Sequence, residues 1–450
     1  MMIPFMRSVL SKRRSRTATA PIMALALLGC GDGGGADIPL TGTGSPYLFA
    51  FAGDEDNAES DFLLVLDVDP GSQTPGAVIS TLTIGQKNTM PHHTEYVPPP
   101  AGEPIFMNGH RPEVSLIVDI DNLPDLAIKQ SFAPPAPLRF PHDYTRTPSG
   151  TRLVGFLRSE GISPDPDEAL TPGNHGGIAE YSVDGDLLRS VSAAAPGLEK
   201  PMRPYAFTLL PEIDRLVVTS APMMEKSWAD VVQIYRYSDF SLLHTLDLPP
   251  GALADGTPVP GAQAAGFGPR LLDDGSVFLN SYGCAFYHLT EIGSDTPILK
   301  MVHTLKTPPA RRADEIRGAC GIPVRVGQYW LQPAGFLNAV VVLDLSDADA
   351  PREVFRLKTP DDFRPHWLAK DTTSNRLVLG AELGGEQGFF ILRVDEKTGE
   401  LGFDPAFRDP KPGRFFARRT PGYVSLNREN WPHGPSGPAW GHAALFLDNP

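Results

Sequence analysis

A strand-like apolar run that ends in a polar turn recurs seven times along the chain. Successive copies start 50 to 63 residues apart. Their first residues are Asp61, Glu113, Gly176, Asp230, Cys284, Asn338 and Gly388. Short apolar runs bounded by turn-forming residues are typical of strands rather than helices. A repeat of this length is typical of propellers and solenoids, which stack one small unit many times.

Each copy is flanked by further strand-like runs. One run precedes it, as in "RLVVTSA" from Arg215, and another follows it, as in "LLHTLDL" from Leu242. A fourth run, which we call the lead strand, comes first, as in "RPYAFTLL" from Arg203. Four antiparallel strands repeated seven times predict an all-β fold, a seven-bladed β-propeller.

The two ends of the chain indicate how the ring closes. The runs that begin at Tyr47 supply three strands without a lead strand, and "GHAALFLDNP" from Gly441 supplies a lead strand without followers. We therefore expect the C-terminal strand to pair with the N-terminal strands and to complete one blade. This closure removes the exposed sheet edges that an open solenoid would have. Because the first strand begins at Tyr47 and the last strand lies at the C-terminus, we assign residues 47–450 to the propeller.

Histidines recur at one position of the repeat. Each lead strand opens with Pro or Gly, and we call the next residue the register position. In chain order the seven register positions are His92, His142, Tyr205, Phe267, Ile322, His366 and His442. The chain has 11 histidines among 450 residues, so four of seven by chance is improbable. The four histidines fall on neighbouring blades of the closed ring, where the lead strands line the central channel.

Imidazoles gathered at one place cannot all be protonated without repulsion, so they favour a metal ion. A nitrogen-rich site without thiolates suits Cu(II), Zn or Fe, and the affinity order favours copper. His93 follows His92 and either points into the blade or is turned to the same site by a local bend. The predicted metal ligands are His92, His93, His142, His366 and His442. The alternative is that these histidines only cap strand ends by hydrogen bonds.

The remaining histidines are predicted to be surface or packing residues, with one exception. The predicted surface or packing residues are His110, His175, His244, His288 and His303. The exception is His433, whose segment precedes the last lead strand and could fold over the mouth of the channel. Glu95 and Asp143 lie near candidate ligands in the sequence, where each either orients a histidine or faces solvent.

The N-terminus is typical of a bacterial lipoprotein. A basic stretch from Lys12 is followed by an apolar run over residues 21–28 and by "LLGC", which ends at Cys30. We predict a signal peptide over residues 1–29, lipidation of Cys30 and a flexible tether over residues 30–46. The apolar run is too short to span a bilayer, so the lipid would be the only membrane anchor, at the periplasmic face. An ordinary signal peptide is the alternative.

Charge and cysteine content narrow the function further. The formal net charge of −14 argues against a nucleic-acid partner, since phosphate binding needs clustered cations. Besides Cys30 the chain has Cys284 and Cys320. The sequence allows either a disulfide between them, in an oxidising compartment, or two separate buried thiols.

Several motifs resemble the selenium-binding protein family, which includes methanethiol oxidase. These are the segment Asp61–Leu82, the His92–His93 pair, Phe140–Gly150 and Gly437–Leu445. The resemblance implies a seven-bladed propeller in the periplasm. It also implies copper bound by His92, His93, His142 and His442, and oxidation of methanethiol with O2 and water to formaldehyde, hydrogen sulfide and hydrogen peroxide.

Three positions depart from the family pattern. Thr145, Arg146 and Ala443 stand where the family has histidine, cysteine and glutamate, respectively, so chemistry that uses the family's cysteine is not expected.

Two functions follow as hypotheses. The first is a copper-dependent oxidase that acts on a small thiol and O2. The alternative is a non-catalytic β-propeller lipoprotein that binds a metal or a protein partner.

Overall fold

Seven antiparallel sheets arranged as blades confirm the predicted seven-bladed β-propeller. The computed structural model describes residues 35–110, 113–159, 174–223, 227–307, 319–382, 387–408 and 420–448. The signal peptide predicted for residues 1–29 and the lipidation site Cys30 lie outside these ranges. Among the described residues, no helix combines the length and hydropathy that crossing a bilayer requires.

The first three blades contain the following strands. Blade one holds β1 (Tyr47–Asp54), β2 (Phe62–Asp67) and β3 (Val78–Thr83). Blade two holds β4 (Pro91–Thr94), β5 (Ile105–Gly109), β6 (Val114–Asn122) and β7 (Asp125–Phe132). Blade three holds β8 (Leu138–Arg146), β9 (Arg152–Ser159), β10 (Gly177–Tyr181) and β11 (Leu187–Ser192).

The next three blades repeat the same meander. Blade four holds β12 (Pro204–Leu210), β13 (Arg215–Ser220), β14 (Val231–Arg236) and β15 (Leu242–Asp247). Blade five holds β16 (Arg270–Leu271), β17 (Val277–Asn280), β18 (Ala285–Thr290) and β19 (Ile298–Thr304). Blade six holds β20 (Val324–Val326), β21 (Tyr329–Ala334), β22 (Ala339–Asp344) and β23 (Arg352–Lys358). Single 3₁₀ turns span Pro211–Ile213 and Gly335–Leu337.

Blade seven and the end of the chain complete the ring. Blade seven holds β24 (Pro365–Lys370), β25 (Arg376–Ala381), β26 (Gly388–Val394), β27 (Leu401–Phe403) and β28 (Tyr423–Ser425). A small hairpin follows, formed by β29 (Asn430–Trp431) and β30 (Gly434–Pro435). The last strand, β31 (Ala439–Leu447), pairs antiparallel with β1, so that Tyr47 lies opposite Leu447. This pairing confirms the predicted closure by the two chain ends.

The middle strands of the blades form the hydrophobic core. Both faces of such a strand are covered by neighbouring blades, which is why β22 reads as a continuous apolar run and is buried throughout. The outermost strands have one face in water and alternate, as β7 does. The sheets therefore present their innermost strands, the lead strands, to one central axis.

The described part of the segment predicted as a tether, residues 35–46, is bound to blade seven. The amide of Ala36 donates to the carbonyl of Leu401 at 3.0 Å, and the amide of Thr43 donates to Thr373 at 3.1 Å. The hydroxyl of Ser45 donates to Asp371 at 2.7 Å. Because these hydrogen bonds fix the backbone, the expectation of a flexible tether is wrong for this part of residues 30–46.

Cys284 and Cys320 form a disulfide, with Cα atoms 5.3 Å apart. Cys284 directly precedes β18 in blade five, and Cys320 lies in the segment that leads into blade six. The structure thus decides between the two alternatives that the sequence left open. The cross-link joins two neighbouring blades on the side of the ring opposite blade two.

Candidate metal centre

A bulge at the register position turns the lead strands toward the channel. In blade two, Pro91 pairs with Gly109 and Thr94 pairs with Met107, so that two residues of β4 stand opposite one residue of β5. The pairing of the lead strand shifts at the same place in four other blades: one, three, four and seven. A bulge bends its strand and redirects side chains, so these strands do not alternate at the register position.

The bulge explains the adjacent histidines. His92 and His93 are the two residues of β4 that stand opposite a single residue of β5. Their rings are stacked, with centroids 4.1 Å apart and an interplanar angle of 7°. In a regular strand these side chains would point to opposite faces. The structure therefore confirms the local bend that would turn both rings toward one site.

The side chains at the register positions contact one another around the channel. Ring centroids are 4.8 Å apart for His366 and His442, 4.3 Å for His442 and His92, and 5.0 Å for His92 and His142. Tyr205 continues the ring at 4.0 Å from His142. The four register histidines thus lie on consecutive blades, as the repeat alignment predicts.

A further histidine, His110, belongs to this group. It is buried, as a packing residue would be, and its ring centroid lies 4.1 Å from that of His92. Its prediction as a surface or packing residue did not include this contact with the candidate ligands. His110 follows β5, whose last residue, Gly109, pairs with Pro91 at the start of β4. Antiparallel pairing of the first two strands could have revealed it, because the end of the second strand adjoins the register position of the first.

The six imidazoles, which we call the histidine cluster, are almost fully buried. The exposed fractions are 3% for His92, 1% for His93, 1% for His110, 0% for His142, 5% for His366 and 1% for His442. Burial lowers the pKa of His92, His93 and His442 well below its usual value, and repulsion among the imidazoles adds to this effect. It lowers the pKa of His142 to about 3. These four rings are therefore neutral near pH 7, as metal ligands must be.

Backbone carbonyls fix the tautomers of two members. Nδ1 of His142 donates to the carbonyl of Tyr205 at 2.8 Å, and Nδ1 of His442 donates to the carbonyl of Ala381 at 3.1 Å. A carbonyl oxygen only accepts, so the lone pair of each neutral ring resides on Nε2. Metal-bound histidines are commonly held in this way, by a hydrogen bond from the nitrogen that does not bind the ion.

Several ring nitrogens are buried without a hydrogen-bond partner among the described residues. They are Nδ1 of His92, both nitrogens of His93, Nδ1 of His366 and Nε2 of His442. A buried polar atom without a partner costs about 1–3 kcal/mol, so such atoms are rare in folded proteins. Clustered nitrogen lone pairs of this kind fit a transition-metal ion. The cluster therefore passes the chemical test for the metal centre that the sequence predicts.

Candidate ligand atoms of the histidine cluster form two groups of three. One group is His92, His93 and His442, the other is His92, His110 and His142, and within each group the ligand atoms lie within 4.8 Å of one another. Four of the five predicted ligands thus come together. The fifth, His366, belongs to neither group, and its ring contacts that of His442.

The two acidic residues near the ligands, Glu95 and Asp143, are both buried, and the hydrogen bonds that they accept come from groups other than the imidazoles. Glu95 accepts hydrogen bonds from Arg152 at 2.8 Å and from Arg146 at 2.5 Å. Asp143 accepts from the amide of Phe207 at 3.1 Å, and burial raises its pKa to about 7. These carboxylates connect neighbouring blades, and backbone carbonyls orient the histidines instead.

Histidines outside the cluster have local roles. Nδ1 of His433 is 2.8 Å from the hydroxyl of Thr81, and its ring packs against Phe62, so His433 belongs to the packing of blade one. His288 interacts with Asp349 at 3.0 Å. His244 and His303 lie on the outermost strands β15 and β19, as expected for packing or surface positions.

Comparisons with known proteins support the fold. No family model matches the chain, and no curated protein matches its sequence. A hypothetical selenium-binding protein from Sulfolobus tokodaii has a similar structure, with a TM-score of 0.64, 14% identity, and coverage of 91% of this chain and 94% of that chain. At this identity the likeness concerns the fold.

Two further solved structures share the fold at similar distance. A periplasmic gluconolactonase from Pseudomonas aeruginosa has a TM-score of 0.54 and 16% identity, covering 79% of this chain and 94% of that chain. A protein from Lactobacillus plantarum has a TM-score of 0.52 and 15% identity, covering 80% and 95%. The structures with this fold include proteins of different function. The activity of this protein must therefore be inferred from its site and not from its fold.

Proposed function

We propose that this protein is a copper-dependent oxidase of a small thiol, with copper held by the histidine cluster. The observation that carries the proposal is the set of buried imidazole nitrogens without hydrogen-bond partners among the described residues. Copper is favoured because Cu(II) stands highest in the affinity order for nitrogen ligands, and zinc or iron is the alternative. The motifs that resemble the selenium-binding protein family and the similar structure from Sulfolobus tokodaii support this choice.

The chain's own residues would prepare the site for this reaction. The carbonyls of Tyr205 and Ala381 hold two imidazoles with Nε2 toward the cluster. The rings of Tyr96 and Trp367 stack 5.3 Å apart, and the ring of Trp367 lies 5.1 Å from that of His93, so aromatic rings pack against the cluster. Bound copper would supply one-electron chemistry between a sulfur compound and O2. With methanethiol, O2 and water as reactants, the balanced products are formaldehyde, hydrogen sulfide and hydrogen peroxide.

One observation favours a second function, a metal-binding propeller without turnover. No member of the histidine cluster is more than 5% exposed. An oxidase must admit its substrate, whereas a storage or structural site benefits from exclusion of solvent. The two functions differ in whether the copper-loaded protein reacts with a thiol.

The test uses two variants and one control. His92→Ala and His442→Ala should each lower the amount of bound copper while circular dichroism stays that of the folded propeller. If the protein is an oxidase, peroxide production from methanethiol falls with copper content in both variants. His244→Ala, on β15, should change neither quantity. A fully loaded wild-type protein that makes no peroxide from any small thiol supports the metal-binding function, and a protein that binds no metal contradicts both.

We also propose that the protein is exported and anchored at the periplasmic face of a bacterial membrane through Cys30. The buried disulfide between Cys284 and Cys320 supports export, because disulfides persist in oxidising compartments. Changing Cys30 to Ser should release the protein from the membrane fraction, since the acyl chain would be the only anchor. Unchanged membrane association would contradict the lipid anchor.

A further inference from the structure

The histidine cluster has more ligands than one ion requires. Protein metal sites of zinc and copper generally use three or four side chains, whereas six imidazoles meet here. The candidate ligand atoms divide into two groups of three that share His92. We call His92, His110 and His142 the first triad, and His92, His93 and His442 the second triad.

Each triad has its own anchored member. In the first triad, His142 is fixed by the carbonyl of Tyr205, and in the second triad, His442 is fixed by the carbonyl of Ala381. Both hydrogen bonds direct the Nε2 lone pair away from the backbone. Each triad therefore contains one histidine that is held as metal-bound histidines commonly are.

The shared residue, His92, has two nitrogens to offer. Its Nε2 lies 3.2 Å from Nε2 of His142, on the side of the first triad. Its Nδ1 is buried without a hydrogen-bond partner among the described residues. Its ring is also stacked on those of His93 and His442, with centroids 4.1 and 4.3 Å away. His92 thus belongs to both triads, and its Nδ1 is a nitrogen that the contact with His142 in the first triad does not use.

We propose that the histidine cluster binds two transition-metal ions, one in each triad, with the imidazole of His92 as their shared ligand. An imidazole binds through both nitrogens only as imidazolate, so the second ion displaces the remaining ring proton of His92, which passes to solvent. This inference rests on the metal binding proposed above and adds the number of ions and the bridge. The register positions account for each triad only in part, because His110 follows the second strand of blade two and His93 follows the register position of the first.

The test counts ions and measures their coupling in the full-length protein loaded with Cu(II). Wild type should bind two copper ions per chain by elemental analysis. Its electron paramagnetic resonance signal should account for much less copper than is bound, because the bridge couples the two spins. His110→Ala and His93→Ala should each bind one copper with a fully visible signal. His244→Ala, the control, should match wild type.

The outcomes separate this inference from the proposed function. One copper per chain in wild type overturns the second site and leaves the proposed function standing, whereas no copper overturns the proposed function as well. Two coppers whose signals are fully visible, and remain so in His92→Gln, overturn the bridge. Circular dichroism identifies any variant that fails to fold. For such a variant, His110→Gln or His93→Gln provides the same test with a side chain closer in size.

Discussion

Asp371 and Arg376 form a buried ion pair that holds the N-terminal segment on blade seven. Their side chains are 0% and 1% exposed, and the guanidinium of Arg376 donates to Asp371 at 2.8 Å. The same carboxylate accepts a hydrogen bond from the hydroxyl of Ser45, and Arg376 donates to the carbonyl of Ser45. Burial alone would raise the pKa of Asp371, but hydrogen bonds from Ser374, Ser45 and Arg376 together hold it below its usual value.

Asp371→Asn should therefore destabilise the protein. Breaking a buried pair leaves an uncompensated charge on Arg376, which costs about 3–5 kcal/mol. Because the folded pKa of Asp371 is depressed, its stabilisation is present above the unfolded value of about 4 and is lost as pH falls below it. Urea unfolding should show a large difference between wild type and variant at pH 7 that shrinks toward pH 3.

The control for this prediction is the exposed pair of Arg356 and Glu353, whose side chains are 32% and 33% exposed. Arg356→Ala should cost less than about 1 kcal/mol, since solvent screens the pair. Equal effects of Asp371→Asn and Arg356→Ala would show that the buried pair does not hold the N-terminal segment.

At the scale of single residues, the sequence revealed the register histidines but missed other members of the site. His92, His142, His366 and His442 could be predicted because each follows a Pro or Gly that opens a lead strand. His110 could not be aligned in this way, because it follows the second strand of its blade and not the opening of a lead strand. Likewise, nothing in the sequence identifies the carbonyls that orient His142 and His442, since every residue has one.

Among the elements, the bulged lead strand of blade two determines how the cluster forms. Asn108 stands opposite the bulge: its Oδ1 accepts the amide of His93 at 2.8 Å, and its Nδ2 donates to the carbonyl of Pro141. This single buried side chain ties the bulge of blade two to the lead strand of blade three. It thereby sets the position of His93 relative to His142.

Asn108→Ala should disturb both stability and the metal site. It leaves the amide of His93 and the carbonyl of Pro141 buried without their partner, at about 1–3 kcal/mol for each group. We expect a lower urea midpoint and an altered copper electron paramagnetic resonance spectrum. Gln130→Ala, which removes an exposed amide on β7, should change neither. An unchanged copper spectrum in Asn108→Ala would mean that the bulge does not position the ligands.

The strands themselves were predictable, whereas the bulges were not. Apolar runs and turns indicated four strands per repeat, because burial between blades imposes that pattern on the sequence. A bulge adds one residue to a strand without a distinct composition, so His92 and His93 left two orientations open. The hydrogen bonds of residues 36–45 to blade seven were also hidden, because a stretch rich in glycine is typical of a tether as well.

For the whole molecule, closure of the ring joins the two ends of the chain in blade one. β31 lies between β1 and the channel, and Leu445 pairs with Phe49 of β1. The side chain of Leu445 is fully buried. The indole of Trp367 in blade seven donates to the carbonyl of Ala444 at 3.1 Å, so β31 also contacts the preceding blade.

Leu445→Ala should weaken the closure. Truncating a fully buried leucine costs about 2–5 kcal/mol, because the cavity relaxes only in part. The matched control is Leu188→Ala on β11, where the leucine is 54% exposed and truncation should change stability by less than about 0.5 kcal/mol. Thermal unfolding of both variants measures the difference. Similar melting temperatures for the two variants would contradict a stabilising role for the closing strand.

Copper binding by the channel histidines can be observed by anomalous diffraction at the copper edge from crystals of the copper-loaded protein. We predict anomalous density within about 2 Å of Nε2 of His142 and of His442, the two nitrogens that the backbone hydrogen bonds leave available. Density only elsewhere, for example at the acidic group of Asp54, Asp56 and Glu59, would contradict it.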